Sequence, residues 1–398
     1  MNKYSHISQA DYKTVAGPDW PLFSRFQLHL DVPDFVYAEL DDMIRSELGF
    51  SHPSFCVLPF YAIEYPAKTP CCLLVGSNSL ADIKSKMLDG HRPDSCSKCW
   101  NLEDAGVKSD RQIKNETLDF FTNIDLEQLI EDCRQGKNKT IHYKIDTSNT
   151  CNSACMTCNG RSSSTWNKLL KKNNLSTYKN WKISPDQTTD WIDYAHAKSI
   201  LFRGGEPFLS DTNFYILEHL IKHGNTDCFV SFVTNGSFSL SQRQKEILSV
   251  FPNLNFCFSI DGIGPVFEYL RWPLKWDDIE NNIAWCRANN IDVSVSYTLS
   301  NINLYYHTHT TQWFKDQKIN YLTNPVYSPA HFKPQSLSID VKQKLSQQSN
   351  SDEIAPWLTH SPTDDQLFEK FQFEIAKQDS MKDISIWDYL PELAELLK

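Results

Sequence analysis

The sequence predicts an α/β fold in which a parallel sheet curls into a partial (β/α)6 TIM-type barrel. Three observations support this prediction. Six strand-like stretches alternate with helical stretches between about residues 141 and 330. Polar or glycine-containing motifs follow several of these strands, at the ends where such barrels collect their chemistry. Three closely spaced thiols follow the first strand of the series directly.

The predicted strands of the barrel are separated by stretches with helical periodicity. The strands are expected at Thr140–Asp146, Ser199–Arg203, Cys228–Thr234, Asn255–Ile260, Asp292–Leu299 and Ile319–Pro325. Helical runs between them include Thr212–His223, Ser241–Phe251 and Asp277–Ala288. Alternation of strand and helix is typical of a parallel sheet whose crossovers are helical.

The chain outside the barrel, which takes residues 141–330, is predicted to form four further segments. Residues 1–50 are an acidic lead-in with one amphipathic helix after Pro33, for which packing on a neighbouring surface is favoured over peptide docking. Residues 51–116 form a cysteine-containing domain, and residues 117–140 form a bridging helix. Residues 331–398 form a helical tail, with helices at Asp340–Gln348 and Asp364–Ala376.

The tail ends in an apolar stripe at helical spacing. The stripe consists of Trp387, Leu390, Leu393 and Leu397. This pattern favours core packing or capping of the barrel over a substrate groove.

Composition narrows the function classes. The chain has 398 residues, of which 40% are hydrophobic and 13% aromatic, as in a globular protein with a large core. A net charge of −10 without a long basic run argues against nucleic-acid binding. No apolar run of about 18 residues predicts a membrane span, and the N-terminus shows no signal-peptide core. A cytoplasmic protein is expected, whose 12 cysteines indicate metal or redox chemistry rather than disulfides.

The thiols after the first barrel strand carry the strongest chemical signal. Cys151, Cys155 and Cys158 stand at C-x3-C-x2-C spacing in the string D-T-S-N-T-C-N-S-A-C-M-T-C-N-G. Three thiolates can hold an iron–sulfur cube and leave one iron open for a substrate or cofactor. The alternatives are core cysteines or zinc ligands, but zinc usually takes a closed set of four.

At these residues the chain resembles the radical S-adenosylmethionine (radical SAM) superfamily. The resemblance implies that Cys151, Cys155 and Cys158 bind a 4Fe-4S cluster and act in catalysis. It also implies that the open iron binds the amino and carboxylate groups of S-adenosylmethionine. One electron from the cluster would then cleave this cofactor and release a 5′-deoxyadenosyl radical.

The motif after the second barrel strand is Arg203-Gly-Gly-Glu-Pro207. Gly204 and Gly205 allow close backbone approach to a ligand, and Glu206 offers a carboxylate to an ammonium group. The alternative to ligand binding is a tight turn in which the glutamate is exposed to solvent. The string through Pro207 resembles the family motif that binds the amino group of the cofactor methionine.

Motifs after the later strands supply further cofactor-binding candidates. Thr234 and Asn235 end the third strand, and Ser259 and Asp261 end the fourth; both strings resemble ribose-contacting motifs, although Asp-Gly turns are common. The remaining candidates are Arg271 for the methionine carboxylate, Ser296 on the fifth strand, and Val326 beside adenine. A surface arginine and a packed strand serine are equally supported readings of Arg271 and Ser296.

A second group of cysteines precedes the barrel. It consists of Cys56, Cys71, Cys72, Cys96 and Cys99. Four thiols would allow a fully ligated cluster, whereas spacing alone allows zinc equally well. Cys71 and Cys72 compete for one ligand role, because adjacent residues on a strand point to opposite sides.

This segment resembles the SPASM or shorter twitch module that holds an auxiliary iron–sulfur cluster in many radical SAM enzymes. In that module a strand pair ends in a Pro-Cys, a helix follows, here expected at Leu80–Leu88, and a C-x2-C closes the site. The module usually follows the barrel, whereas here it precedes it. The other cysteines, among them Cys133, are interpreted as structural.

The sequence is thus interpreted as a radical SAM enzyme, an oxidoreductase with an N-terminal SPASM/twitch-like iron–sulfur domain. The resemblance implies peptide modification, such as a crosslink, epimerisation or excision in a precursor peptide, with flavodoxin or ferredoxin as electron donor. A radical SAM enzyme acting on a sugar or nucleoside is the first alternative. The alternatives from another class are a non-catalytic metal-binding scaffold and a zinc-binding interaction protein.

Overall fold

A computed structural model gives the fold of most of the chain. It describes residues 54–71, 73–76, 79–104, 109–115, 126–188, 190–326, 328–348, 354, 358 and 365–398. The helix predicted after Pro33 and the candidate ligand Cys72 lie outside the described residues. The chain divides into two compact units, of which unit 1 comprises Met1–Lys144 with His196–Lys198, and unit 2 comprises Ile145–Ala195 with Ser199–Lys398.

The structure contains seven strands, of which β3 to β7 of unit 2 form a sheet whose hydrogen-bonded neighbours follow chain order. The strands are β1 Ala62–Tyr65, β2 His142–Asp146, β3 Ser199–Arg203, β4 Phe229–Thr234, β5 Leu254–Ser259, β6 Asp292–Leu299 and β7 Asn320–Pro325. The division between the two units falls within β2.

The α-helices alternate with the strands from β3 onward and continue beyond β7. They are α1 Leu58–Tyr61, α2 Leu80–Leu88, α3 Ser97–Asp104, α4 Leu126–Arg134, α5 Ser164–Lys172, α6 Asp211–Lys222, α7 Gln242–Leu248, α8 Pro265–Leu270, α9 Trp276–Ala288, α10 His307–Asp316, α11 Ile339–Gln348, α12 Asp365–Lys382, α13 Ile386–Tyr389 and α14 Pro391–Leu396. Residues 110–115 are also helical.

Strands β3 to β7 of unit 2 pair in parallel, as the sequence predicts. Their registers include Phe232 opposite Phe256 and Ser259 opposite Ser296. Each predicted strand is found with its ends shifted by at most two residues; β2, for example, begins at His142 rather than Thr140. The α/β class and the parallel order are therefore confirmed, while closure of the sheet into a partial barrel stays a prediction.

An aromatic core fixes the strand ends of unit 2. Phe208 stacks on Phe232 with ring centroids 4.6 Å apart, and it also contacts Phe238 and Phe256. Phe208 follows β3 in the chain, so its burial among rings from β4 and β5 anchors the segment after β3 in one position.

Unit 1 contains the predicted helix α2 at Leu80–Leu88 and a buried ion pair. The hydroxyl of Ser79 caps α2 by accepting from the amide of Asp82 at 3.1 Å. Lys144 donates to Glu64 at 2.8 Å, and both side chains are about 5% exposed or less. The predicted bridging helix spans Leu126–Arg134, and its Cys133 is buried near the Tyr61 hydroxyl.

The C-terminal tail packs as predicted but with different details. Helix α12 runs to Lys382, six residues past the predicted end at Ala376. Leu390 and Leu393 are fully buried, whereas Trp387 is 45% exposed and does not belong to the apolar stripe. Among the described residues, no helix is both long enough and apolar enough to cross a membrane.

The buried ion pair of unit 1 generates a stability prediction. Lys144→Met should destabilise unit 1 by about 3–5 kcal/mol, because it leaves the Glu64 carboxylate buried without its counter-charge. Urea unfolding measures the change. The matched control is Lys86→Met, whose partner Asp82 lies at 3.2 Å with both side chains about 40% exposed, and which should cost at most about 0.5 kcal/mol. Equal losses in the two variants would contradict the prediction.

Candidate functional site

The three predicted cluster cysteines lie on the loop between β2 and α5, residues 147–163, which is called the thiol loop below. The Ser153 hydroxyl lies between two of the thiols, 3.3 Å from Cys151 Sγ and 3.4 Å from Cys155 Sγ. Burial raises the pKa of Cys151 and raises that of Cys158 to about 12. These raised pKa values mean that thiolates are unfavourable here without a metal. A bound metal would stabilise the three thiolates and offset this effect.

Backbone groups of the thiol loop are paired with surrounding elements of unit 2. Ala154 N and Met156 N donate to the carbonyls of Trp272 and Leu270, at 2.7 and 2.8 Å. The carbonyl of Cys155 accepts from the indole of Trp166 at 2.9 Å. These bonds hold an irregular loop in one conformation.

The glycines after β3 pack against the thiol loop itself. Gly205 N donates to Ser148 O at 2.9 Å, and Glu206 N donates to Thr150 O at 2.7 Å. A Cβ on Gly205 would overlap the carbonyl of Thr150, and Gly204 has φ +111° with Ser148 O 2.6 Å from an added Cβ. The described contacts of these glycines are with the protein backbone, and their role in binding a ligand stays a prediction.

Glu206 is 1% exposed and is held by three donors from the protein. Its carboxylate accepts from Thr234 Oγ1 at 2.7 Å, from Asn235 N at 2.8 Å and from Phe208 N at 3.3 Å. Burial raises its pKa to about 7, although these hydrogen bonds act in the opposite direction. The solvated-turn alternative is therefore wrong, because this carboxylate is buried and oriented.

Asn235 links the end of β4 to the thiol loop. Its side-chain amide donates to Asn152 Oδ1 at 2.8 Å and lies 4.0 Å from Cys151 Sγ. Asn152 in turn donates to Ser237 Oγ at 2.8 Å. The two asparagines therefore position the first thiol.

Arg271 lies beside the thiols and is buried rather than at the surface. Its Nη2 pairs with Asp261 at 2.7 Å, and its Nη1 lies 3.9 Å from Cys155 Sγ. Burial would lower its pKa, but Asp261 and the thiols of Cys155 and Cys158 outweigh burial and raise it. Asp261 also accepts from Thr298 N at 3.0 Å, so this carboxylate orients the guanidinium.

Two residues of α12, which the sequence reading missed, complete the surroundings of the thiol loop. Gln378 Nε2 donates to Met156 O at 3.0 Å, and Lys382 Nζ lies 2.9 Å from Met156 Sδ. Burial lowers the pKa of Lys382 to about 7, while Cys155, Asp379 and Cys158 act in the opposite direction.

The remaining predicted cofactor contacts lie at the ends of β5 to β7. Ser259 and Ser296 are register partners, and Ser296 Oγ accepts from Asn324 at 3.0 Å. Val326 is buried, and its amide donates to Leu299 O at 2.9 Å. Asn324 is a further polar residue at this edge that the sequence reading did not single out.

In unit 1, four of the predicted auxiliary ligands line a single pocket. Its lining consists of Cys56, Cys71, Cys96 and Cys99, together with Leu58, Pro59, Leu73, Leu74, Asp110 and Arg111. The fifth candidate, Cys72, lies outside the described residues. Of the two adjacent cysteines, Cys71 is therefore the one whose position in the pocket is described.

The thiols of this pocket receive backbone hydrogen bonds. The amide of Leu73 donates to Cys71 Sγ at 3.3 Å, and the amides of Leu58 and Arg111 donate to Cys56 and Cys99. Burial raises the pKa of Cys56 and Cys99 and raises that of Cys96 to about 11. Among the described residues, no set of three or more His, Cys, Asp or Glu side chains has the geometry for a single metal ion.

A comparison with protein families agrees with the position of the thiol loop. Residues 145–308 match the model of the radical SAM superfamily. This part of the chain is similar to a radical SAM domain. This domain begins in β2 and includes the thiol loop, the glycines after β3, and Arg271.

Solved structures similar to this chain share little sequence with it. They include anSMEcpe with bound AdoMet and Cp18Cys peptide, at 16% identity and TM-score 0.38 over 51% of this chain and 58% of that one. They also include Streptococcus suis SuiB bound to S-adenosylmethionine, at 12% identity and TM-score 0.35 over 67% of this chain and 58% of that one. The chain thus spans about three fifths of the length of these structures. Among curated proteins, none matches the sequence.

The contact between Gly205 and Thr150 generates a prediction for the radical SAM domain. Gly205→Ala should destabilise the protein by about 1–3 kcal/mol, because the added methyl group meets backbone that cannot rotate away. It should also lower the iron retained after anaerobic reconstitution, since Thr150 adjoins Cys151. Denaturant unfolding and iron analysis provide the two measurements.

Gly224→Ala is the control for this substitution. Gly224 has φ +70° and no atom within 4 Å of an added Cβ, so its replacement should cost only the strain of a left-handed residue, about 1 kcal/mol. Iron retention should be normal in this control. Normal iron retention in Gly205→Ala as well would refute the prediction.

Proposed function

We propose that the protein binds a 4Fe-4S cluster on Cys151, Cys155 and Cys158 and uses it to cleave S-adenosylmethionine reductively. The observation that carries the proposal is the grouping of these thiols with a buried carboxylate and a buried guanidinium. Glu206 neighbours Asn235, which reaches Cys151, and Arg271 reaches Cys155. A cofactor with an ammonium and a carboxylate group requires both charges close to the open iron.

The donor set fits this cofactor pair. Three thiols without a fourth cysteine in the loop match a cluster with one open iron. Arg271 Nε is buried without a hydrogen-bond partner among the described residues, so it retains a donor for an incoming group. Glu206 is already fixed by three donors and needs no reorganisation to receive an ammonium group.

Each residue then has a defined task. Glu206 holds the amino group of the cofactor, and Arg271, oriented by Asp261, holds its carboxylate. Ser259, Ser296 and Asp261 lie toward the ribose, Thr234 supports Glu206, and Val326 lies toward adenine. When bound and reduced, the cluster supplies one electron that yields a 5′-deoxyadenosyl radical for hydrogen abstraction. The protein contributes orientation and a site that excludes water.

Replacing Glu206 tests the methionine end of this proposal. Glu206→Gln should weaken S-adenosylmethionine binding about ten- to a hundredfold, because a hydrogen bond to a charged group contributes roughly 1.5–3 kcal/mol. Anaerobic calorimetry at pH 8 measures the dissociation constant. In the unmodified protein, affinity should fall as the pH drops through about 7, since protonation removes the carboxylate.

Glu218→Gln is the matched control for Glu206→Gln. Glu218 is a surface carboxylate that accepts from Arg243 at 2.7 Å, and its replacement should leave affinity unchanged. If Glu206→Gln bound the cofactor as tightly as this control, the amino group would have to lie elsewhere.

We further propose that Cys56, Cys71, Cys96 and Cys99 bind a second, auxiliary iron–sulfur cluster in unit 1. What supports this is a single pocket lined by all four thiols, with three of them receiving backbone hydrogen bonds. Amide hydrogen bonds to sulfur are among the features that tune iron–sulfur clusters. Four thiolates would close the coordination of this cluster and assign it to electron transfer or structure.

Two sets of cysteine variants test whether two clusters exist. The double variant Cys96→Ala, Cys99→Ala should lose about half the iron, because it removes two of four ligands from one site only. It should still release 5′-deoxyadenosine but fail to complete the substrate reaction. The triple variant of the thiol loop should keep the other half of the iron and release no 5′-deoxyadenosine. Iron analysis and electron paramagnetic resonance (EPR) make the comparison.

The triple variant and the metal identity decide the outcome. Complete loss of iron from the triple variant, or zinc in unit 1, would rule out the two-cluster proposal. Wild-type cofactor cleavage by any single loop variant, Cys151→Ala, Cys155→Ala or Cys158→Ala, would rule out the assignment of the first cluster. Iron and sulfide content after anaerobic purification also separates the enzyme from a zinc-binding interaction protein.

For the substrate we propose a precursor peptide, with a flavodoxin or ferredoxin as electron donor in the cytoplasm. The resemblance of residues 51–116 to SPASM/twitch modules supports this choice, since such modules mostly accompany peptide-modifying radical SAM enzymes. A sugar or nucleoside is the alternative substrate class. Anaerobic incubation with reductant and candidate substrates, followed by mass spectrometry, distinguishes the two by the mass of the altered product.

A further inference from the structure

Lys382, the last residue of α12, has an unusual environment for a lysine. Its side chain is about 3% exposed, and its ammonium group lies 2.9 Å from Met156 Sδ and 2.9 Å from Gln378 Oε1. It also lies 4.9 Å from the centroid of the Trp166 ring. These partners are dipoles, a thioether and a π-face, and none carries a negative charge.

Arg271, a buried cation of the same unit, has a carboxylate as its counter-charge. It is paired with Asp261 at 2.7 Å, whereas among the described residues no carboxylate lies within ion-pair distance of Lys382. A buried charge without a counter-charge is costly to a fold. The groups that favour the ammonium form of Lys382 are Asp379 and two members of the thiol loop, Cys155 and Cys158.

We propose that Lys382 is the protein's counter-charge for the cluster on the thiol loop, and that it favours the reduced state of that cluster. Met156 stands between Cys155 and Cys158 in the chain, so contact with Met156 places the ammonium group against the segment that carries two ligands. Gln378 acts with it as a positioning residue, because its amide holds the Met156 carbonyl.

The electrostatic consequence has a fixed sign. Reduction of a cluster adds one negative charge, and a cation at close range in a partly desolvated site stabilises that charge. Lys382 therefore raises the midpoint potential of the cluster and eases its one-electron reduction. The inference rests on the proposed function, because it requires a redox-active cluster on Cys151, Cys155 and Cys158.

The test is an EPR-monitored redox titration of the thiol-loop cluster. Lys382→Met keeps an unbranched side chain on Trp166 and removes the charge, while Lys382→Arg keeps the charge. At a fixed potential, Lys382→Met should lower the ratio of reduced to oxidised cluster about tenfold, which is a 59 mV decrease for a one-electron couple. Lys382→Arg should remain close to wild type. Titrations are run in the Cys96→Ala, Cys99→Ala background so that one cluster is observed.

Gln378→Leu separates charge from mechanical support. It removes the hydrogen bond to the Met156 carbonyl and one acceptor of Lys382 but keeps the ammonium charge, so it should lower cluster retention and change the potential less than Lys382→Met does. Equal shifts in potential for Gln378→Leu, Lys382→Met and Lys382→Arg would overturn the electrostatic role. An unchanged potential in Lys382→Met would overturn it as well.

The metal-free protein offers a second measurement that does not depend on cluster loading. Without the cluster, Lys382 is a buried amine with no carboxylate within ion-pair distance among the described residues, so Lys382→Met should unfold in urea at a midpoint no lower than wild type. A clearly lower midpoint would show that the fold itself needs this ammonium group and would overturn the proposal. Absence of any redox-active cluster from the wild-type protein would instead refute the proposed function.

Discussion

The structure of the site depends on how the backbone of an irregular loop is satisfied. The thiol loop has no ladder of its own, so its buried amides and carbonyls must be paired by other elements. Ser148 O and Thr150 O accept from the segment after β3, and Ala154 N and Met156 N donate to the last residue of α8 and to the segment that follows it. Met156 O accepts from α12. The elements that fix the loop also carry Glu206, Arg271 and Lys382, so cysteine position and charge position are set together.

The part of the site built from strand ends could be predicted from sequence. Parallel strands deliver the residues that follow them to one edge, so alternation of strands and helices was enough to place Glu206 and Asn235 on the side of the sheet that carries the thiols. The sequence also predicted which functional group each of these residues would offer to a ligand. The sequence pattern could not show what the glycines contact. A glycine is needed wherever a Cβ would clash, and the sequence does not say whether the clash would be with a ligand or with protein backbone such as the Thr150 carbonyl.

The contribution of α12 could not be predicted from the same signals. Gln378 and Lys382 contact Met156 across 222 and 226 residues of sequence, and no periodicity reports a pairing at that distance. The sequence even places the end of this helix at Ala376, before both residues. Trp387 shows that periodicity can also predict a contact that does not form. Its helical spacing assigned it to the buried stripe, but tertiary packing leaves it 45% exposed.

The three buried charges of the site differ in how the fold compensates them. Glu206 is surrounded by three hydrogen-bond donors, which hold the carboxylate without neutralising it. Arg271 is neutralised by Asp261 but keeps an unpartnered Nε. Among the described residues, the hydrogen-bond partners of Lys382 are neutral. A preorganised site requires hydrogen-bond donors and charged groups that are already in position, because these can interact with a bound group without reorganisation. The thiol loop lies among all three, so a group bound at its sulfurs would meet a carboxylate, a guanidinium and an ammonium group that are already in position.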